Sequence, residues 1–104
     1  MYHIYYPYPA TDGKYKWFII TNKGKIVKFG AYGFMDFVMY NKQYDKEYAN
    51  DKKKVYLARH SKLNEDWSNP DSRAYWSVNL LWNLPTIKES YRKIKDDLRS
   101  RGYL

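Results

Sequence analysis

The apolar and polar positions of this 104-residue chain predict a small α+β fold. Residues 14–30 are expected to form a β-hairpin, because Lys14–Thr21 is aromatic and β-branched and Gly24 supplies the positive φ of a tight turn. The first strand has apolar side chains on both faces, which predicts either that both faces are covered or that one of them is an exposed apolar surface. Residues 1–12 contain two prolines and are expected to be an extended or mobile arm, which can add a third short strand.

Three helices are predicted to pack on the hairpin, the first at about residues 45–61. Tyr44, Tyr48 and Val55 recur near helical spacing and are expected to face the core. The basic run Lys52–Lys54 is expected to face outward. A polar segment then ends this helix.

The second and third helices are predicted at about residues 70–82 and 86–101. Asn69 or Ser68 would cap the second helix, with Pro70 in its first turn. The third helix begins with the capping-box pattern Thr86–Glu89. Apolar residues at helical spacing give each helix a core stripe: Ala74, Val78, Leu81 and Trp82 on the second, and Ile87, Tyr91, Ile94 and Leu98 on the third.

Two glycines, Gly30 at the end of the hairpin and Gly33 just after it, raise the question of a phosphate-binding loop. The Gly-Lys-Ser/Thr sequence and long helix of such loops do not follow, so a simple turn out of the hairpin is favoured. The dense apolar segment 34–40 fits either a short helical turn or a strand.

The composition predicts a single domain, residues 1–104, that contains no disulfide, thiolate zinc site or thiol nucleophile, because cysteine is absent. The net charge is +8, and the basic excess is spread as three, two and three over residues 1–40, 41–66 and 67–104. The charge therefore belongs to the folded surface, not to a basic tail. No long apolar run or signal-peptide pattern is present, so we expect a soluble, non-secreted protein without a membrane partner.

Residues 56–70 concentrate the side chains that active sites use. Ser61 and His60 are adjacent, and neighbours on a helix point about 100° apart, which disfavours a nucleophile–base pair. Glu65 and Asp66 supply two carboxylates, but no third acid is placed beside them for a metal-dependent nuclease. We therefore predict a non-enzymatic protein with no metal site and no cofactor; the alternative is a nuclease-like or other hydrolase site around Arg59, His60, Glu65 and Asp66.

The same segment is expected to hold the joint between two helices. Glu65 or Asp66 can pair with Arg59 across the turn, while Trp67 fills the joint. Arg59 and His60 are the residues expected to face a ligand as well.

A basic stripe on the last helix is the candidate nucleic-acid or acidic-partner surface. Its residues, spaced by 4, 3 and 4, are Lys88, Arg92, Lys95 and Arg99. Arg59 and Lys62 are expected to assist them. The alternative is an ordinary solvated face, because the helix also carries Glu89, Asp96 and Asp97. No signature of base-specific recognition is present.

Several short motifs together resemble a small uncharacterised family encoded by giant double-stranded DNA viruses. The matching residues are Pro9, Phe29–Ala31, Gly33, Asp36, Tyr56, Arg59, His60, Glu65, Asp66, Trp67, Trp76, Ser77, Leu80–Asn83, Pro85 and Thr86. The resemblance implies a viral origin and gives no reaction. Among these residues, a structural role is expected for His60, Glu65, Asp66, Trp67, Trp76, Trp82, Asn83, Pro85 and Thr86.

From these observations we predict two alternative functions, both of which depend on binding. The favoured one is a structural or assembly component of the virion, associated with capsid or core proteins in the virion or in the host cytoplasm. The surplus of tyrosine and tryptophan supports it, because these residues dominate protein interfaces. The alternative is sequence-nonspecific nucleic-acid binding through the basic stripe.

Overall fold

The computed structural model describes residues 2–104 and confirms the α+β class. A three-stranded antiparallel sheet packs against helices, and α3 continues directly into a π-helical segment. The elements are β1 Tyr8–Pro9, β2 Tyr15–Ile20, β3 Ile26–Ala31, α1 Phe37–Gln43, α2 Lys46–Ser61, α3 Arg73–Trp76, the π-helical segment Ser77–Leu81, and α4 Ile87–Ser100. No helix within residues 2–104 is long and apolar enough to cross a membrane.

The sheet has the order β1-β2-β3, so the expected third strand from the N-terminal region is present. Its inner face carries the buried residues Ile19, Val27 and Phe29. On its outer face Phe18 pairs with Lys28, while the other neighbour of Phe18 is Tyr8 of β1. Helices cover the inner face, and aromatic rings from the N-terminal residues lie on the outer one.

Residues 2–12 are tied to the body of the protein by Tyr5, whose side chain is fully buried. Its amide donates to the carbonyl of Ile20 at 2.8 Å, and its hydroxyl donates to Asp71 Oδ1 at 2.6 Å. The hydroxyl of Tyr91 on α4 donates to the carbonyl of Tyr5 at 2.9 Å. Burial and the bond to Asp71 raise the pKa of Tyr5 to about 12.

The core is centred on Trp76, which is fully buried against Phe29 with 5.8 Å between the ring centroids. Its indole nitrogen donates to the carbonyl of Pro70 at 2.8 Å, so the buried N–H is satisfied. Ile94 and Leu98 of α4 complete the core, as their helical spacing predicts.

The start predicted for the second helix is wrong. Asn69 does not cap it, because its side chain accepts from the amide of Asp71 and closes a local turn that competes with helix. The helix begins at Arg73, and Ser72 caps it by accepting from the amide of Tyr75 at 3.1 Å. The α-helical part ends at Trp76 and the chain continues as the π-helical segment.

The capping box predicted at Thr86 is confirmed. Thr86 Oγ1 accepts from the amide of Glu89 at 3.2 Å and donates to its carboxylate at 2.8 Å. α4 follows, and its buried positions match the predicted stripe.

The sequence left open whether the segment 34–40 forms a helical turn or a strand, and the structure shows that α1 begins within it, at Phe37. Asp36 caps α1 by accepting from the amide of Met39 at 3.0 Å. A break at Tyr44 separates α1 from α2, which Asp45 caps through the amide of Tyr48.

The face predicted for α2 is wrong. Tyr44, Tyr48 and Val55 are 49%, 41% and 61% exposed, and they lie on the outside. Lys53, expected outside, turns inward: its ammonium donates to the carbonyl of Asn83 at 2.7 Å and lies 4.9 Å from the ring centroid of Phe37. A lysine stem can cover apolar surface while its ammonium finds a polar partner, and apolar spacing alone does not reveal this.

Candidate functional site

The segment after α2 forms a hydrogen-bonded cluster around Glu65. His60 Nδ1 lies 3.0 Å from Glu65 Oε1, and the indole nitrogen of Trp67 donates to the same oxygen at 3.3 Å. Within residues 2–104 no bond joins Glu65 or Asp66 to Arg59, so His60 takes the place of the predicted partner. Trp67 is only half-buried, so it lies at the edge of the joint that it was expected to fill.

The other polar groups of this segment are used locally. Ser61 Oγ donates to the carbonyl of Ala58 at 2.8 Å, and Asp66 accepts from the amide and hydroxyl of Ser68. These bonds hold the pKa of Asp66 below its usual value. The serine and histidine are therefore not arranged as a nucleophile and its base. Within residues 2–104 no three histidine, aspartate or glutamate side chains converge as metal ligands.

A cleft of about 760 Å³ lies beside α2. Residues of β2, β3, α1, α3 and the π-helical segment also line it. One wall is a stack of three rings. Tyr56 lies between Trp82 and His60, with centroid distances of 4.0 Å on each side and interplanar angles of 5° and 25°. Burial, followed by the charge of Glu65, raises the pKa of Tyr56 to about 12, so its hydroxyl stays protonated at neutral pH.

Gly30 also lines the cleft, and it lies in β3 and not in the predicted turn. Its φ is +75°, and a Cβ atom at this position would lie 2.7 Å from Leu81 Cδ1. Glycine therefore allows the strand to approach the π-helical segment closely. The role of this glycine is therefore to allow close packing of β3 against the π-helical segment.

The floor of the cleft contains a nearly buried ion pair. Lys16 Nζ lies 2.8 Å from Asp36 Oδ2, and the two side chains are 14% and 5% exposed. The second carboxylate oxygen of Asp36 caps α1, so this residue joins the hairpin to the helix.

Three further cations line the cleft: Lys52, Arg59 and Arg73. No carboxylate in the described chain lies within salt-bridge distance of any of them. Arg73 packs over the ring of Tyr15 at 4.8 Å and donates its Nε to the carbonyl of Lys28 at 2.8 Å. Sequence reasoning singled out Arg59 and His60, and both line the cleft. It missed Lys52, which was expected to face outward although it lies two turns before Arg59 on α2, and Arg73, which the tertiary fold brings beside them.

The basic stripe of α4 is on the surface. Lys88, Arg92 and Arg99 are exposed, while Lys95 is half-buried with its ammonium 5.7 Å from the ring centroid of Tyr91. No residue of α4 lines the cleft, so Arg59 belongs to a different site from the stripe. Lys62 is exposed just after α2.

An aromatic surface adjoins the stripe. It consists of Tyr2, Tyr6, Tyr8, Phe18 and Tyr91. Its centroid distances are 5.3 Å from Tyr91 to Tyr6, 5.0 Å from Tyr6 to Tyr8, 5.7 Å from Tyr8 to Phe18 and 4.7 Å from Tyr2 to Tyr8. Burial and the neighbouring Tyr6 raise the pKa of Tyr91 to about 12, while Arg99 acts in the opposite direction. Lys95 therefore contacts the aromatic surface, and Arg99 lies about one turn further along α4.

The remaining motif residues are placed around the joint between the π-helical segment and α4. Trp82 is buried beside the cleft, the carbonyl of Asn83 accepts from Lys53, Pro85 is half-buried and Thr86 caps α4. The motif thus links α2, the cleft wall and the last helix.

Comparison of the chain with protein-family models, with curated proteins and with solved structures gave no match.

Proposed function

We propose that the protein acts by binding, without catalysis, and that its ligand is single-stranded nucleic acid held without sequence preference. One observation supports this most: the aromatic surface and the basic stripe are contiguous, joined by the contact of Lys95 with Tyr91. Proteins that hold single strands combine a cationic track for phosphates with rings on which bases stack.

The two parts of this surface have complementary roles. Cations of the stripe attract phosphates regardless of sequence, while Tyr2 and Tyr6, 59% and 43% exposed, offer ring surface to bases. A duplex keeps its bases stacked on each other, so the rings favour a single strand. The acidic residues on α4 oppose binding only in part, since Asp97 already accepts from Tyr75 and pairs with Arg101 at 3.0 Å.

Fluorescence anisotropy with a labelled oligothymidine and a duplex of equal length tests the proposal. We expect tighter binding of the single strand. If each of the four stripe cations neutralises one phosphate, the affinity should fall about 50-fold between roughly 50 and 200 mM salt. The double variant Arg92→Glu/Arg99→Glu should abolish most binding. Tyr6→Ala should weaken single-strand binding by roughly five-fold or more, as loss of one stacked base does.

A charge-matched control separates this surface from net charge. Lys46→Glu/Lys54→Glu changes the charge equally but alters exposed residues of α2. The proposal is wrong if both double variants weaken binding equally, or if the wild-type protein binds neither nucleic acid at low salt.

A second proposal is a structural or assembly role in the particle of a giant DNA virus. The resemblance described above supports it, and so does the exposed apolar stripe of Tyr44, Tyr48 and Val55, which would suit a protein partner. Mass spectrometry of purified particles of the encoding virus tests it. Absence of the protein from the particles would rule out the virion version.

A further inference from the structure

We infer that the cleft beside α2 is a second binding site, which takes a planar aromatic ring carrying one anionic group, the size of a nucleoside monophosphate. The inference is independent of nucleic-acid binding, because no residue of α4 or of the aromatic surface lines the cleft.

The dimensions and walls of the cleft suit such a ligand. A volume of about 760 Å³ is within the usual range for small-molecule sites. Two parts of the lining are held by side-chain packing: the stack centred on Tyr56, and the close approach of Gly30 to Leu81. The cleft is therefore shaped largely by packed helices and strands, and residues 34–36 and Glu65, which lie between elements, complete its lining.

The apolar lining favours an aromatic ring. Phe34 lines the mouth of the cleft, yet 71% of its surface is exposed. Leaving a ring of this size in water forfeits much of its transfer free energy, and a flat ligand lying against it would recover part of that loss. Both faces of Tyr56 are already covered, by Trp82 and His60, so the exposed ring of Phe34 is the surface against which a flat ligand would lie.

The charges favour an anion. The two acids that line the cleft, Asp36 and Glu65, are each engaged by a basic partner, Lys16 and His60. Lys52, Arg59 and Arg73 remain without a carboxylate partner in residues 2–104. The cleft therefore has an excess of positive charge, and two of these cations are arginines, whose planar fork matches phosphate or carboxylate oxygens.

Isothermal titration with adenosine monophosphate, adenosine, inorganic phosphate and phenylacetate tests the inference. We expect the monophosphate to bind, and adenosine and phosphate each to bind at least tenfold more weakly. Binding of phenylacetate as tight as that of the monophosphate would support an aromatic carboxylate as the natural source of the anion. Much weaker binding of phenylacetate would support a phosphorylated source. Adenosine or phosphate binding as tightly as the monophosphate would overturn the inference, as would no binding of any probe at about 5 mM.

Matched variants locate the binding. Arg59→Met and Arg73→Met should each weaken binding of the monophosphate at least tenfold. Lys54→Met, on α2 but outside the cleft, and Arg99→Met, on the basic stripe, should leave it unchanged. If Arg99→Met abolishes binding while Arg59→Met does not, the nucleotide binds at the α4 surface and the cleft inference fails. Loss of oligothymidine binding in Arg99→Met with retained binding of the monophosphate would support both sites separately.

Discussion

Gly30→Ala should destabilise the protein by two separable effects. The φ of +75° places any L-residue at this position in the left-handed region, at a cost of about 1–2 kcal/mol. The new Cβ would also lie 2.7 Å from Leu81 Cδ1, and forcing an extra carbon into a packed site costs about 1–3 kcal/mol. We therefore expect the free energy of unfolding to fall by about 2–5 kcal/mol.

Gly33→Ala is the matched control. Gly33 has a φ of +87°, and no atom of residues 2–104 lies within 4 Å of the added Cβ, so only the backbone cost of about 1–2 kcal/mol applies. Leu81→Val, which removes the Cδ atoms, should reduce the cost of Gly30→Ala to that of the control.

Urea unfolding followed by tryptophan fluorescence compares five proteins: the wild type, the three single variants and the double variant Gly30→Ala/Leu81→Val, provided that the m-value is unchanged. If Gly30→Ala costs no more than Gly33→Ala, the close approach to Leu81 does not constrain the strand. If Leu81→Val gives no relief, the cost arises elsewhere in the strand.

The remaining predictions concern two tryptophans, a lysine and a tyrosine. Trp82→Ala should lower the free energy of unfolding by about 3–5 kcal/mol, because that ring is buried. Trp67→Ala should lower it by only about 1 kcal/mol, because the ring of Trp67 is half-buried. Equal shifts of the urea midpoint in the two variants would contradict this prediction. Lys53→Ala should speed amide exchange in α2 without affecting α4, and unchanged exchange would mean that the bond to Asn83 does not hold α2. Tyr5 has a pKa of 10.0 unfolded and about 12 folded, so the folded state binds more protons between these values and stability should fall as the pH rises from 10 to 12. Tyr5→Phe should make that fall shallower, and an identical slope in urea titrations at pH 9 to 12 would show that Tyr5 contributes nothing to it.

The parts of the fold that short-range signals specify could be predicted from the sequence. The hairpin follows from β-branched and aromatic residues around a glycine turn, and the start of α4 follows from Thr86 and Glu89 three residues apart. Each signal is complete within a few residues.

The parts that depend on distant neighbours could not be predicted in the same way. α2 has no decisive apolar face, and its orientation is determined by Lys53 meeting Asn83 and by Tyr56 stacking on Trp82. Asn69 gives a capping signal as good as that of Ser72, and the turn that it forms decides between them. Of the candidate site residues, the spacing of the α4 stripe could be read directly, but the cleft joins six separate elements of the chain.

The contacts of Tyr5 affect the order in which the chain can fold. The hydroxyl of Tyr5 donates to Asp71, which is 66 positions away, and its carbonyl accepts from Tyr91, which is 86 positions away. By contrast, β2 and β3 pair across a short turn. Closing such long loops carries a large entropic cost before any contact compensates for it. We therefore expect the hairpin and α4 to form early and the N-terminal segment to dock late, so that Tyr5→Phe accelerates unfolding while leaving the folding rate nearly unchanged.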